Sequence, residues 1–205
     1  MLFKPTVALD KVHEISPELL KELNVKALIL DLDNTLTTHD NPRPAEKVTD
    51  WIQSMRTAGI KLMIVSNNHA ERVKPFAEML GLEFVSEGKK PRSKGFREAQ
   101  KRLCMPFSEI AIVGDQIIPE ILGGNRAGVL TLQVHPIRIG TVFRALRFGI
   151  ETPFRAGAED GRRLECAGKR GHRPSCGRGA GENAEKMPQN PPDYGNSLAK
   201  ARKVL

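Results

Sequence analysis

Two aspartates one residue apart, Asp31 and Asp33, close the aliphatic run LILDLDNTLT at residues 28–37. Residues two apart on a strand share a face, so a continuing strand would point both carboxylates the same way. Two ionised carboxylates that close repel each other unless a cation lies between them or one takes a proton. Mg²⁺ answers that repulsion, being a hard cation that prefers carboxylates, carbonyls and phosphate oxygens. Beside it, Asp31 is a nucleophile able to form an aspartyl-phosphate. Asp33 can protonate the leaving oxygen and later deprotonate water. The plain alternative is a pair of capping or turn aspartates, helped by Asn34 and Thr35. The two-aspartate spacing alone favours that plain reading, but DLDNTL at the end of a buried strand is far more specific.

The elements that must hold these residues follow from periodicity. VKALILDLD is a continuous apolar run, as expected of a strand covered on both faces in a parallel sheet. Ser16-Pro17 opens a short helix over ELLKEL. AEKVTDWIQSMRTAG shows helical spacing with Gly59 placed to end it, and HAERVKPFAEMLG ends at Gly81. Between and after them come the strand IKLMIVSNN, the short strand LEFVSE, the helix SKGFREAQKRLC and the strand EIAIVGDQ. A turn and short helix over PEILGGNRAG, then the strand VLTLQVHP, complete the series. Strands alternating with helices predict an α/β fold with a doubly wound, Rossmann-like parallel sheet.

In such a sheet ligands bind beyond the carboxyl ends of the strands. Here those ends carry Asp31 and Asp33, then Ser66, Asn67 and Asn68, then Lys89 and Lys90, then Asp115. Carboxylates, a hydroxyl, amides and lysines converging on one crevice are what phosphoryl transfer requires. Each has a plainer role: Ser66 as a helix cap, Lys90 as one of several loop lysines with Lys89 and Lys94, Asp115 as a turn aspartate after Gly114. A cap is compatible with phosphate binding, because a helix N-terminus is itself an anion site. GGNRAG reads as a tight turn holding the Asp115 loop through Asn125. His69 reads as an exposed residue at a helix start.

These pieces resemble the haloacid dehalogenase (HAD) superfamily in kind and order. DLDNT resembles its first motif, Ser66 in VSNN the phosphate-binding hydroxyl, Lys90 before Pro91 the charge-neutralising lysine, and GDQIIPE the acidic fourth motif. NVKALILDLDNTL, GIKLMIVSNN and GGNRAG together resemble the YqeG-type branch of class IIIA, related to phosphatidylglycerophosphate phosphatases. The resemblance spans residues 10 to about 140. It implies Mg²⁺ held by Asp31, Asp33 and Asp115, catalysis by Asp31, Asp33, Ser66 and Lys90, and phosphate binding by Ser66, Asn67 and Lys90. One departure stands out: Pro119-Glu120 replaces the branch's Thr-Asp. Glu120 keeps the charge and can orient a metal-bound water, with a reach one methylene longer.

Thirty-two residues separate Asp33 from Ser66, and 23 separate Ser66 from Lys90, too few for a cap domain in either gap. An open crevice admits bulky phosphate esters, including a lipid headgroup. By resemblance phosphatidylglycerophosphate is the most concrete substrate, alongside other phosphorylated small molecules. Arg138, Arg144 and Arg147 interleave with apolar residues in HPIRIGTVFRALRFGI, either an interfacial helix for anionic lipid or the last core helix.

Bulk features narrow the setting. The chain has 205 residues and a formal charge of +8, shared equally between residues 1–150 and 151–205 at +4 each. Residues 1–150 are expected to form the catalytic domain. Residues 151–205 hold 8 of the 18 glycines and few large aliphatics, the composition of a disordered tail. Three scattered cysteines fit a reducing compartment. With no signal peptide or membrane-spanning run expected, the setting is cytoplasmic, peripheral to a membrane if the substrate is lipid. The rival reading is a scaffold that keeps the fold and engages RNA or ribosomes through its basic surface and tail, with steep salt dependence. Tail aromatics are limited to Phe154 and Tyr194 and no RNA module is recognisable, so the nucleic-acid signal is not strong. A dehalogenase or phosphotransferase is a third option; Asp33 favours phosphoester hydrolysis. Oligomeric state has no sequence signal.

Overall fold

Strand β2, Ala27–Leu30, is buried at every residue because helices cover both faces of the sheet. The alternation of its side chains sorts them into two cores. Leu28 and Leu30 join Leu62 and Ile64 of β3 (Lys61–Val65) beneath α1 (Pro17–Glu22), α2 (Val48–Thr57) and α3 (Ala70–Leu80). Ala27 and Ile29 join Met63, Val65, Ile110 and Ile112 beneath Phe96, Ala99 and Leu103 of α4 (Lys94–Leu103). A run apolar on both faces is thus what a central parallel strand requires.

The computed structural model describes residues 2–38, 41, 43–138 and 159–160, all within one compact unit. The remaining strands are β1 (Val7–Leu9), β4 (Glu83–Val85), β5 (Ile110–Gly114), β6 (Leu130–Val134) and β7 (Glu159–Asp160). Their order is β4-β3-β2-β5-β6-β1-β7, every neighbouring pair parallel. The strand order reverses between β2 and β5, so the ends of those two strands flank the crevice. Among the described residues, α2 is the only helix or strand between β2 and β3, and only α3 and β4 lie between β3 and Lys90. No cap is inserted there.

The expected helix starts and stops hold where local chemistry sets them. The Ser16 hydroxyl accepts from the Leu19 N–H at 3.1 Å with Pro17 as the first helical residue, and Gly81 ends α3 at φ +62°. Three features differ from expectation. Strand β1, only three residues long, carries no periodic signal of its own yet sits between β6 and β7. Glu159–Asp160, in the segment expected to hold no strand, pairs with Val7 and Ala8, because backbone pairing on a sheet edge needs no side-chain pattern. GGNRAG is not a turn after a helix: Gly123–Ala127 is itself helical (α5) and continues from a π-helical turn, Ile117–Leu122. Asn125 ties α5 to the start of the chain through the Leu2 and Lys4 carbonyls, both at 2.9 Å, rather than holding the Asp115 loop. The proposed boundary at residue 150, the body of the tail and the arginine-bearing part of the 135–150 segment beyond Arg138 lie outside the described residues.

Candidate active site

Four strand ends bring Asp31 (after β2), Ser66 (after β3), Lys90 (after β4) and Asp115 (after β5) to one end of the sheet. All four are buried, as is Glu120 at 1 % exposure. The Lys90 ammonium lies 2.5 Å from Asp31 Oδ1 and 2.7 Å from Glu120 Oε1. Burial pulls the Lys90 pKa down, but the two carboxylates and their hydrogen bonds outweigh it and hold the amine charged. Asp31 shows the opposite balance. Burial raises its pKa against the lowering influence of Lys90, and Asp33 raises it further. Asp115 is pushed well above the ordinary carboxylate range by burial, then by Asp31 and Glu120.

Glu120 reaches Lys90 because of two local devices. It sits on the π-helical turn, a geometry that recurs at functional sites. Its side chain crosses Gly114, where a Cβ would meet Glu120 Cγ at 2.2 Å. Any larger residue at 114 would displace the carboxylate. Sequence reasoning had given Glu120 a supporting place around the metal; the structure makes it a direct partner of Lys90.

The loop that presents Lys90 is fixed from below. Both ends of the Asn67 amide engage the Lys90 main chain, donating to its carbonyl at 3.0 Å and accepting from its N–H at 2.7 Å. Asn67, expected at the phosphate, therefore has its side chain on this loop. Gly88 and Gly95 pack backbone to backbone, with a Cβ on Gly95 only 2.7 Å from the Gly88 carbonyl oxygen. Lys90–Pro91 is a cis peptide. Ser66 Oγ accepts from the Asn68 N–H at 3.1 Å, so the hydroxyl closes a turn before α3. His69, next in the chain, is exposed and pairs with Glu87 at 3.1 Å.

Asp33 is placed differently from Asp31. Strand β2 stops at Leu30, and Asn34 at φ +63° turns the chain, so strand alternation does not carry through both aspartates. One Asp33 oxygen accepts from Arg72 at 3.0 Å and the other from Asn68. Arg72 carries no expectation from sequence, and Asn68 only that of a strand-end amide in the crevice. Asn68 lies ahead of the His69 N-cap and Arg72 in the first turn of α3, so no helical spacing in the sequence links them.

A divalent cation fits this donor set. Asp31, Asp115 and Glu120 place three buried carboxylates around one buried ammonium, leaving a formal deficit of two positive charges. Among the described residues no three His, Cys, Asp or Glu side chains form a cage of their own. A hard divalent cation can be held by one or two carboxylates, its remaining positions filled by water and substrate phosphate. Asp31 and Asp115, both buried and close enough for Asp31 to raise the proton affinity of Asp115, are carboxylates that could serve such an ion.

A haloacid dehalogenase-like hydrolase family model matches residues 38–128. The chain is 41 % identical over 135 residues to "Probable phosphatase YqeG" of Bacillus subtilis (strain 168), covering 66 % of this chain and 78 % of that protein. It is 23 % identical over 145 residues to a chloroplastic phosphatidylglycerophosphate phosphatase 1 of Chlamydomonas reinhardtii, spanning 65 % of this chain and about half (53 %) of that relative. The cobalt-bound deoxy-D-mannose-octulosonate 8-phosphate phosphatase of Haemophilus influenzae superposes with TM-score 0.44 at 15 % identity, over 66 % of this chain and 92 % of that one. The chain belongs to the haloacid dehalogenase-like hydrolases and is an enzyme of that class.

Proposed function

We propose that this hydrolase is a Mg²⁺-dependent phosphomonoesterase working through an aspartyl-phosphate on Asp31. The observation that carries this reading is the Asp31–Lys90–Glu120 bridge with Asp115 beside it, buried at the strand ends. Burying such groups costs several kcal/mol per ion unless they are paired. A scaffold that binds through its surface gains nothing from that cost.

Mg²⁺ held by Asp31 and Asp115 would supply charge neutralisation for the incoming phosphate. Lys90 would neutralise the nucleophile and a phosphate oxygen. Ser66 would donate to another oxygen, and Asp33 would move the proton. Glu120 keeps Lys90 in place when Asp31 turns to phosphorus, since the ammonium then retains one buried counter-charge. The uncapped crevice and the two phosphatase relatives support a bulky phosphate ester, with the phosphatidylglycerophosphate headgroup the leading member and contact with a membrane surface its consequence. Among the described residues no helix is long and apolar enough to cross a membrane.

Phosphate release from p-nitrophenyl phosphate and from phosphatidylglycerophosphate micelles, with and without Mg²⁺, tests the reading. Release should require the metal and disappear in Asp31→Asn. Release that persists in Asp31→Asn, or that ignores chelation, sinks it; indifference to the lipid sinks only the substrate.

A further inference from the structure

Both oxygens of Asp33 are gripped by the segment that also carries Ser66. Arg72 Nη2 donates to Oδ1 at 3.0 Å and also to the Thr38 carbonyl at 3.3 Å. Asn68 donates to Oδ2. Asn68 is itself fixed, with its N–H on Ser66 Oγ at 3.1 Å and its carbonyl accepting from the Glu87 N–H at 2.9 Å. An ordinary surface ion pair contributes about 0–1 kcal/mol and leaves both side chains loose. Here the guanidinium is 26 % and the carboxylate 18 % exposed, and Arg72 and Asn68 each hold one carboxylate oxygen.

We propose that Arg72, together with Asn68, is a positioning pair that holds the Asp33 carboxyl for proton transfer to the leaving oxygen, and so suits the site to phosphate esters of aliphatic alcohols rather than to activated phosphates. This rests on the reading of Asp31 as nucleophile and Asp33 as acid and base. In the first half-reaction an Asp31 oxygen bonds to phosphorus, the bond from phosphorus to the ester oxygen breaks, and the Asp33 proton moves to that oxygen as the alcohol departs. In the second, a water oxygen bonds to phosphorus, the Asp31–phosphate bond breaks, and Asp33 takes the water proton. Asp33 is then ready for the next ester.

An aliphatic alkoxide leaves badly without that proton, whereas p-nitrophenolate leaves unaided. A misplaced acid must therefore show in one ester far more than in the other. A well-positioned general acid is typically worth 10²–10⁴-fold in rate, so loss of its positioning should cost on the order of 100-fold on the alkyl ester.

The test compares wild type, Arg72→Ala, Arg72→Lys and Asn68→Ala on three esters with Mg²⁺. These are p-nitrophenyl phosphate, glycerol 3-phosphate and micellar phosphatidylglycerophosphate, which separate soluble from lipid alkyl esters. kcat/KM is the readout, since it reports the steps up to departure of the alcohol. Arg72→Ala should lose about 100-fold more on an alkyl ester than on the aryl ester. Asn68→Ala should move the same way by less. Arg72→Lys should fall between, its ammonium supplying charge without the planar fork. Equal losses on aryl and alkyl esters, or no loss on either, overturn the proposal. If Arg72→Ala does not fold by circular dichroism, the other two variants decide by the same ratio. Retained activity in Asp31→Asn would instead show that the nucleophile was misassigned, and a wild type that turns over no ester overturns both readings.

Discussion

Asp31 and Asp33 are separated by one residue, yet they live in different physical regimes. Asp31 is buried against an ammonium that a second carboxylate also holds. Asp33 sits at the rim, gripped by an amide and a guanidinium that solvent still reaches. On the roles proposed for them, the difference matches two chemical needs. A nucleophile benefits from a dry, charge-balanced setting in which electrostatic interactions are strong. A group that must gain and lose a proton each turnover benefits from fixed orientation and access to water.

The sharpest way to break this contrast is at Asp31. Asp31→Asn should cut phosphate release on the order of 10⁴-fold or more, the scale seen when a nucleophile is removed; a loss under tenfold would mean that attack starts elsewhere. Lys90→Met leaves Asp31 and Glu120 buried without their shared cation. Urea unfolding of this variant should show a loss of about 3–5 kcal/mol. Indistinguishable midpoints would mean that the bridge is not the anchor of the dry region. Gly114→Ala probes the same region by sterics alone. The new Cβ collides with Glu120 Cγ, so unfolding should cost about 1–3 kcal/mol, and kcat should fall as Lys90 loses its support.

A pH experiment sharpens the picture further. Asp115 holds its proton more tightly folded than unfolded, through burial and then through Asp31 and Glu120. Its contribution to the stability of the metal-free protein is therefore present in acid, and is lost as pH rises from the ordinary aspartate range through the raised folded pKa. If Asp115 is a ligand as proposed, binding of Mg²⁺ would require that proton to leave. Calorimetric affinity should rise by about tenfold per pH unit across the window, with proton release in buffers of different ionisation heat. Affinity flat with pH would remove Asp115 from the ligand set. The smallest effect belongs to Lys89, the exposed neighbour of Lys90. Lys89→Ser should leave kcat unchanged and stability within about 0.5 kcal/mol, so that adjacent lysines differ through burial alone.

Much of this was legible in the sequence because it was local. The two-faced apolar run at 27–30 announced a central parallel strand, Ser16-Pro17 a helix start, and Gly81 a helix end. Asp31, Ser66, Lys90 and Asp115 could be placed in one crevice because topology puts every strand's carboxyl end on the same side. Strands β1 and β7 were not legible, since two or three residues added to a sheet edge are specified by backbone pairing rather than by pattern. Nor were the partners. Lys90 meets Glu120 across 30 residues, Asp33 meets Arg72 across 39, and Asn67 meets Lys90 across 23. Each pairing depends on which strand lies beside which, on a π-helical turn and on a glycine small enough to let a side chain pass. Sequence determined which chemical groups reach the end of the sheet, because strand periodicity and loop position are short-range properties. Tertiary structure alone decided which groups face one another, because contact between distant residues is fixed by strand order and packing.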